Sequence, residues 1–254
     1  MEHAIHMGYR CMNQTMRKNW RLLALMLLLG WGSLAYAQVV GTVTNLSGVL
    51  TARHPDGSVR VMGSKSEVLQ GDTLITQANT YARVKFMDDG EIVLRPASEL
   101  VVKSYLYDAE KPEKNNVAMG LVKGGLRAVT GLIGKRNHDA VSFDTPTATI
   151  GIRGTHFGAL FCQNDCGGVP TPSGAMPANG LYVDVAQGAV VLTNNGGQQV
   201  FQAGQFGYVA NLNTPPVIVP PTQGVPVTMP QSISRNSPNP QSIGSARVNA
   251  CMVQ

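Results

Sequence analysis

The sequence predicts an all-β fold, either a β-roll or a two-layer β structure, and three observations support it. Apolar and polar residues alternate over short runs: in 81–87, Ala82, Val84 and Phe86 mark one face and Arg83 and Lys85 the other, the pattern of a half-buried strand. Turn-forming residues such as Asp56-Gly57, Gly71-Asp72, Asp88-Asp89-Gly90 and Asn194-Asn195-Gly196-Gly197 punctuate these runs. With 28 glycines and only 6% aromatic residues, and abundant Val and Thr, the composition suits many short strands joined by turns.

The elements follow in order. Residues 39–46 and 49–53 read as a first hairpin about Ser47-Gly48, and 59–62 return after the turn at His54-Pro55-Asp56-Gly57. Gly71-Asp72 makes a tight turn into 73–76, its carboxylate bonding local amides. Residues 81–87 and 92–94 form a hairpin, and 100–102 continue the pattern. Residues 108–116 are charged, contain Pro112 and read as a solvated loop. Residues 117–129 read as two strands about Lys123-Gly124-Gly125, and the basic stretch 131–139 as an exposed loop before a strand at 141–143. After the stretch 163–179, rich in Gly and Pro, residues 181–185 and 190–192 read as strands turning at Gly188. The segments 200–201 and 206–210 close the domain.

The centre of the chain is 145–158, TPTATIGIRGTHFG. Its Thr, Ile and Phe favour strand, and Pro146 fits only a strand start or an edge. Gly151, Gly154 and Gly158 mark bulges, bends or close backbone approaches, and Gly151, Gly154 and Thr155 with Pro146 are the expected structural positions. Arg153 is either an internal brace capping carbonyls freed by the glycines or a contact for a carboxylate. His156 is either packed and hydrogen bonded or a binding residue. Arg153 and His156 are thus the two candidate binding residues.

This stretch resembles the signature of the FecR domain family, a TP-x-A-x-x-x-x-RGT-x-F core. VLQGDTLIT and ARVKFMDDGEIVL upstream, and VDVAQGAVVL and VFQAGQFGYV downstream, occur in the matching order, so that the resemblance spans residues 40–209. It implies a non-enzymatic periplasmic module used in protein contacts. In the family's namesake arrangement, a transmembrane helix joins a cytoplasmic anti-sigma segment to the periplasmic domain, which relays an outer-membrane receptor signal. This sequence departs from that arrangement in opening on a cleavable-looking leader.

That leader is residues 1–37: a basic Arg17-Lys18-Asn19-Trp20-Arg21, an apolar 22–29 and a small-x-small Ala35-Tyr36-Ala37, the layout of a secretory signal peptide. Translation beginning at Met16 would give the better-formed one. Its apolar core is short of the ~20 residues a spanning helix needs, so no stable transmembrane span is expected after cleavage. Removing Arg10, Arg17, Lys18, Arg21 and Glu2 leaves 16 basic and 14 acidic residues, net +2, which offers nucleic acid no electrostatic footprint. The expected domain is 38–212. From 213 to 254 the chain is rich in Pro, Ser and Gln, without an apolar period, and reads as a disordered or extended tail.

Cys162 and Cys166 in FCQNDC are expected to form a disulfide in an oxidising compartment. The alternative is a redox pair or half a metal site, although a zinc site needs four ligands. No nucleophile elbow or phosphate loop is present, and Asp88-Asp89 reads as a solvated turn too poor in oxygen ligands for calcium. No catalytic residue, metal or cofactor is expected. The expected function is an exported, periplasmic or secreted, non-enzymatic binding or scaffold module of the bacterial envelope, docking a protein or a cell-surface polymer through strand edges. The alternative is a membrane-anchored component of a FecR-type sensing pathway.

Overall fold

The alternating runs become strands of one continuous sheet in the computed structural model, which describes residues 38–169 and 171–234. The leader at 1–37 and the last part of the expected tail, 235–254, lie outside the described residues. Fifteen strands are present among the described residues: β1 (Val39–Leu46), β2 (Leu50–Arg53), β3 (Val59–Met62), β4 (Glu67–Leu69), β5 (Thr73–Thr76), β6 (Ala82–Phe86), β7 (Glu91–Leu94), β8 (Glu99–Leu106), β9 (Asn116–Val129), β10 (Val141–Asp144), β11 (Thr149–Cys162), β12 (Gly180–Asn194), β13 (Gly197–Gln202), β14 (Phe206–Val209) and β15 (Val217–Val219). Two short helices, α1 (Leu132–Arg136) and α2 (Gln231–Ser234), accompany them. Among the described residues no helix is long and apolar enough to cross a membrane.

The main path runs β15-β14-β12-β11-β10-β9-β7-β6-β1-β4, and a branch β3-β2-β5-β8 joins it at β9. β9 is the junction. Its first half pairs with β8 and, in parallel, with β10; its second half pairs with β7 and β11. The sheet folds back on itself there, and the inward side chains of both branches share one core. Leu50, Leu74 and Leu100 from the branch join Val43, Val84, Leu126, Phe157 and Val183 from the main path.

Three glycines make this wrapping possible. Gly124, Gly154 and Gly188 have φ of 72°, 60° and 76°, a region that L side chains rarely adopt. Each adds a residue that resets the strand's alternation. The pairs Leu121/Leu126, Ile152/Phe157 and Val185/Val190, each five residues apart, therefore all face the core. The bulges of β11 and β12 abut: a Cβ on Gly188 would lie 2.4 Å from the Gly154 carbonyl oxygen.

Several expectations are corrected. Residues 116–129 are one bent strand, not two, and Gly188 bulges β12 rather than ending it. β1 and β2 do not form a hairpin, because the Ser47 amide donates to the Tyr81 carbonyl and Val49 N to Thr80 Oγ1. The chain is held there as it crosses between layers, and β2 pairs with β3 and β5. The basic stretch after Gly131 is not an open loop. Leu132 N donates to the Asp88 carbonyl, Ile133 is 1% exposed, and α1 forms. Asp88 is accordingly buried rather than solvated, accepting from Gly90 N, Ile133 N and the Tyr105 hydroxyl. Burial, with the Asp88 carboxylate beside it, makes that phenol harder to ionise. Asp89 turns away to pair with Lys85 at 2.8 Å. Asp72 bonds its local amide as expected, at 2.9 Å from Leu69 N, and also holds His54 and Arg60.

The segment from 213 is as poor in regular structure as its composition predicts, with one three-residue strand and one helical turn among the described residues. It is nevertheless docked. Val225, Val227, Met229 and Ile233 are each no more than 6% exposed.

Candidate functional site

The outward face of the sheet carries a row of paired residues running across six strands. Arg83 pairs with Val93, Val93 with Arg127, Arg127 with Gly158, Gly158 with Asp184, and Asp184 with Phe206. Alternation places these side chains opposite the core, where water would normally cover them. Yet Arg83 is 2% exposed, Arg127 5% and Asp184 7%. Residues 224–233 provide the cover.

The segment crosses the strands along the row. Gly224 lies on the Phe206 ring, where a Cβ would come within 2.3 Å of Cγ. Val227 lies on Gly158, whose added Cβ would meet Val227 Cβ at 2.5 Å and Asp184 Oδ2 at 2.6 Å. Its apolar side chains pack with Val93, Leu160, Tyr182 and the cystine in a second cluster, separate from the main core. Buried main-chain groups must be paired, and charged side chains pair this segment. Arg127 Nη1 donates to the Val227 carbonyl at 2.8 Å and Asp184 Oδ2 accepts from Val227 N at 2.6 Å. Arg95 Nη1 donates to the Thr228 carbonyl at 3.1 Å, and Arg83 Nη2 to the Ile233 carbonyl.

The charges also hold one another. Arg127 Nη1 reaches Asp184 Oδ1 at 2.8 Å, and its Nε donates to His156 Nε2 at 2.8 Å. Burial first, and the adjacent Arg127 charge second, push the His156 imidazole down to about 4, so the ring is neutral near pH 7. Desolvation likewise lowers the pKa of Arg83 and Arg95. Arg83 Nε and Glu91 Oε2 are buried without a hydrogen-bond partner.

The two residues singled out as binding candidates do not form one site. His156 is fixed under Arg127, whereas Arg153 is exposed. Arg153 lines a separate cleft of about 210 Å³ with His138, Asp139, Thr149 and Gln198. Among the described residues its guanidinium caps no carbonyl. The brace at the bulge is Thr155, whose Oγ1 donates to the Ala189 carbonyl at 2.7 Å and accepts from Arg153 N, while Thr130 Oγ1 bonds both N and O of Thr155. Pro146 sits exposed in the turn between β10 and β11, and Gly151 occupies a regular ladder position. Of the three strand glycines, Gly154 makes the bulge and Gly158 the close approach.

The cystine Cys162–Cys166 closes the first loop of the 163–179 excursion, with Cα atoms 5.5 Å apart. Asn164 N, donating to Asn179 Oδ1, closes its base. Cross-linking a five-residue loop restrains the unfolded chain by about 2 kcal/mol. Cys162→Ser/Cys166→Ser is expected to lower unfolding free energy by that amount in urea titration, and added reductant to do the same to the wild type. A larger side chain at Gly158 has a local effect: Gly158→Leu is expected to lift residues 225–233 off the row. Hydrogen exchange at the Val227 amide should then become fast, while amides of β9 and β11 keep their protection.

Sequence reasoning missed Arg83, Arg95, Arg127 and Asp184 because an outward face reads as solvated. It also missed the apolar alternation Val225, Val227, Met229, a period of two interrupted by Pro226 and Pro230.

A family model described as FecR protein matches residues 72–191. The chain carries a FecR domain. All the charged residues of the row, with Arg95 and His156, lie inside the FecR domain, and the segment covering them lies outside it. Two crystal structures, both described as a candidate anti-sigma factor from Parabacteroides distasonis, are similar in structure. They share 12% and 14% identity with this chain, with TM-scores of 0.43 and 0.40. In both comparisons 58% of this chain matches 58% of the other. No curated protein matches.

Proposed function

We propose that the protein is a regulatory component of the FecR type in the bacterial envelope, and that it works by holding a polypeptide rather than by catalysis. The observation that carries this reading is the use made of the charged groups in the FecR domain. Three arginines and an aspartate, the groups from which an active site could be built, direct hydrogen bonds at the main-chain carbonyls and amide of an extended segment. Such contacts recognise a chain irrespective of most of its side chains. We assign export to the leader-like residues 16–37, which would place the domain in an oxidising compartment that suits the cystine.

Affinity capture with the full chain, from an envelope fraction, tests this. A discrete protein partner recovered in stoichiometric amount is expected, and repeated recovery of none across growth conditions would count decisively against it. The family match also favours a second reading, a membrane-anchored signalling component. Mass spectrometry separates the two: a mature N-terminus at Gln38 marks a released module, and a retained leader marks the anchored form.

A further inference from the structure

We propose that the row beneath residues 224–233 is a docking groove for an extended segment of another protein, and that the chain's own C-terminal segment is the resident competitor. The inference rests on the regulatory reading above and names its contact surface and its control.

The first argument is what the groove demands of its occupant. Arg127, Arg95, Arg83 and Asp184 bind only main-chain atoms of the segment. The side-chain requirement is short: apolar residues at alternate positions, Val225, Val227 and Met229, with the middle one small enough to sit on Gly158. Pro226 between the first two, and Pro230 after the last, favour an extended chain. The occupant is therefore an extended peptide with β-branched or unbranched apolar residues at alternate positions and a proline in or beside that run.

The second argument is what lies beneath. The main core is aliphatic and aromatic and cannot be opened to water without large cost. The floor of the groove is Arg83, Arg95, Arg127, Asp184 and His156, flanked by Tyr81, Tyr182 and Tyr208. Guanidinium, carboxylate and phenol groups can exchange a peptide partner for water. The covering segment, moreover, joins no strand ladder. It follows an exposed turn at 220–223, where Gln223 N and Gly224 N both donate to the Pro220 carbonyl. Before that turn is β15, an edge strand of three residues with Val217 and Ile218 46% and 49% exposed. The cover is held by side-chain packing and side-chain hydrogen bonds rather than by a ladder, so it can leave without unpairing a strand of the sheet.

The third argument is the division of the chain. The charged residues of the floor fall within residues 72–191, which the FecR model matches, and the cover falls beyond them. A cleft of about 530 Å³ lined by Tyr81, Arg95, Pro96, Leu160, Cys166 and Val169 shares Arg95 with the floor and Leu160 and Cys166 with the second cluster.

A tethered segment competes at an effective concentration of the order of millimolar, so an occupant arriving from solution is weakened by at least ~10-fold while the segment is in place. The test uses a fluorescent peptide of residues 225–233 and two forms of the protein, the full chain and one ending at Gly224. Fluorescence anisotropy should show saturable binding to the shortened form, at least tenfold weaker binding to the full chain, and loss of binding when Gly158→Leu is added to the shortened form. If the shortened form does not fold, the second variant is the full chain with a protease site replacing 221–223, cleaved after folding. Excess unlabelled peptide should then release the nicked segment on size exclusion.

A folded shortened form that leaves the peptide unbound, equal binding to both forms, or a nicked segment that never exchanges would overturn the proposal. So would a dimer of the full chain with exchanged C-terminal segments, which would make the occupant a second copy. Failure here with a partner still captured from the envelope would remove this groove and leave the regulatory reading standing. Peptide binding with no captured partner would leave the groove to the chain's own segment alone and overturn both.

Discussion

Replacing Arg127 by methionine should lower the free energy of unfolding by about 3–5 kcal/mol, the cost of stranding one member of a buried ion pair. Methionine keeps most of the volume and removes three contacts at once: to Asp184 at 2.8 Å, to the Val227 carbonyl at 2.8 Å and to His156 at 2.8 Å. Asp184 keeps only Val227 N, and that amide belongs to the covering segment, which is itself loosened. Adding Asp184→Leu should recover a large part of the loss, because a buried pair exchanged as a whole for apolar groups is often near neutral. Urea titration at pH 7 of the wild type, both single variants and the double variant measures this. Arg127→Met within 0.5 kcal/mol of wild type would show that the guanidinium is not stabilising the row.

Acidification should cost on the order of 3 kcal/mol as the pH falls from 6.5 towards 4. The sign follows from His156. Its folded pKa is pushed down to about 4 from the ordinary 6.5, by burial first and by the Arg127 charge second. The unfolded chain therefore binds this proton more readily than the native one. The stability is present in full above 6.5 and is lost as the pH falls through that window, when the ring must charge beside a guanidinium. Asp184 faces the same guanidinium and limits the loss. Asp144, held below its ordinary 3.8 chiefly by its hydrogen bond to Lys103, loses its contribution only below that value, so the two effects separate along the pH axis. His156→Gln, with an amide oxygen to accept from Arg127 Nε, should flatten the profile between 6.5 and 4. A wild-type profile already flat there would refute the assignment.

Much of the fold was legible because alternation is a strong signal where a strand has one buried face. Ala82, Val84 and Phe86 announced β6, and Asp88-Asp89-Gly90 its turn into β7. The family's motif was legible too, since its glycines do what strand glycines do: Gly154 bulges and Gly158 admits another chain. Other features were hidden for specific reasons. α1 has five residues, too few to show a helical period, and is held by Asp88, 44 positions before its first residue. The first hairpin failed because Ser47-Gly48 has turn chemistry whose bonds go to Thr80 and Tyr81 instead. The site was least legible. Arg83 and Arg127 look solvent-facing from their own strands, and only a segment about 100 residues beyond Arg127 buries them. That segment hid behind its prolines, which signal an open chain even where the residues between them alternate.

β9 has one further consequence. Both branches of the sheet close on residues 116–129, and β11 at 149–162 is needed to flank its second half. A polypeptide appearing from its N-terminus onward can pair β7 only with β6 and β8 only with β5, leaving the other edge of each open until that stretch has emerged. Structure must then arrive late and nearly all together, from contacts distant in sequence, which makes assembly slow. Until that moment the first eight strands are open to adhesion by neighbours, and the molecule's most dangerous interval is its birth.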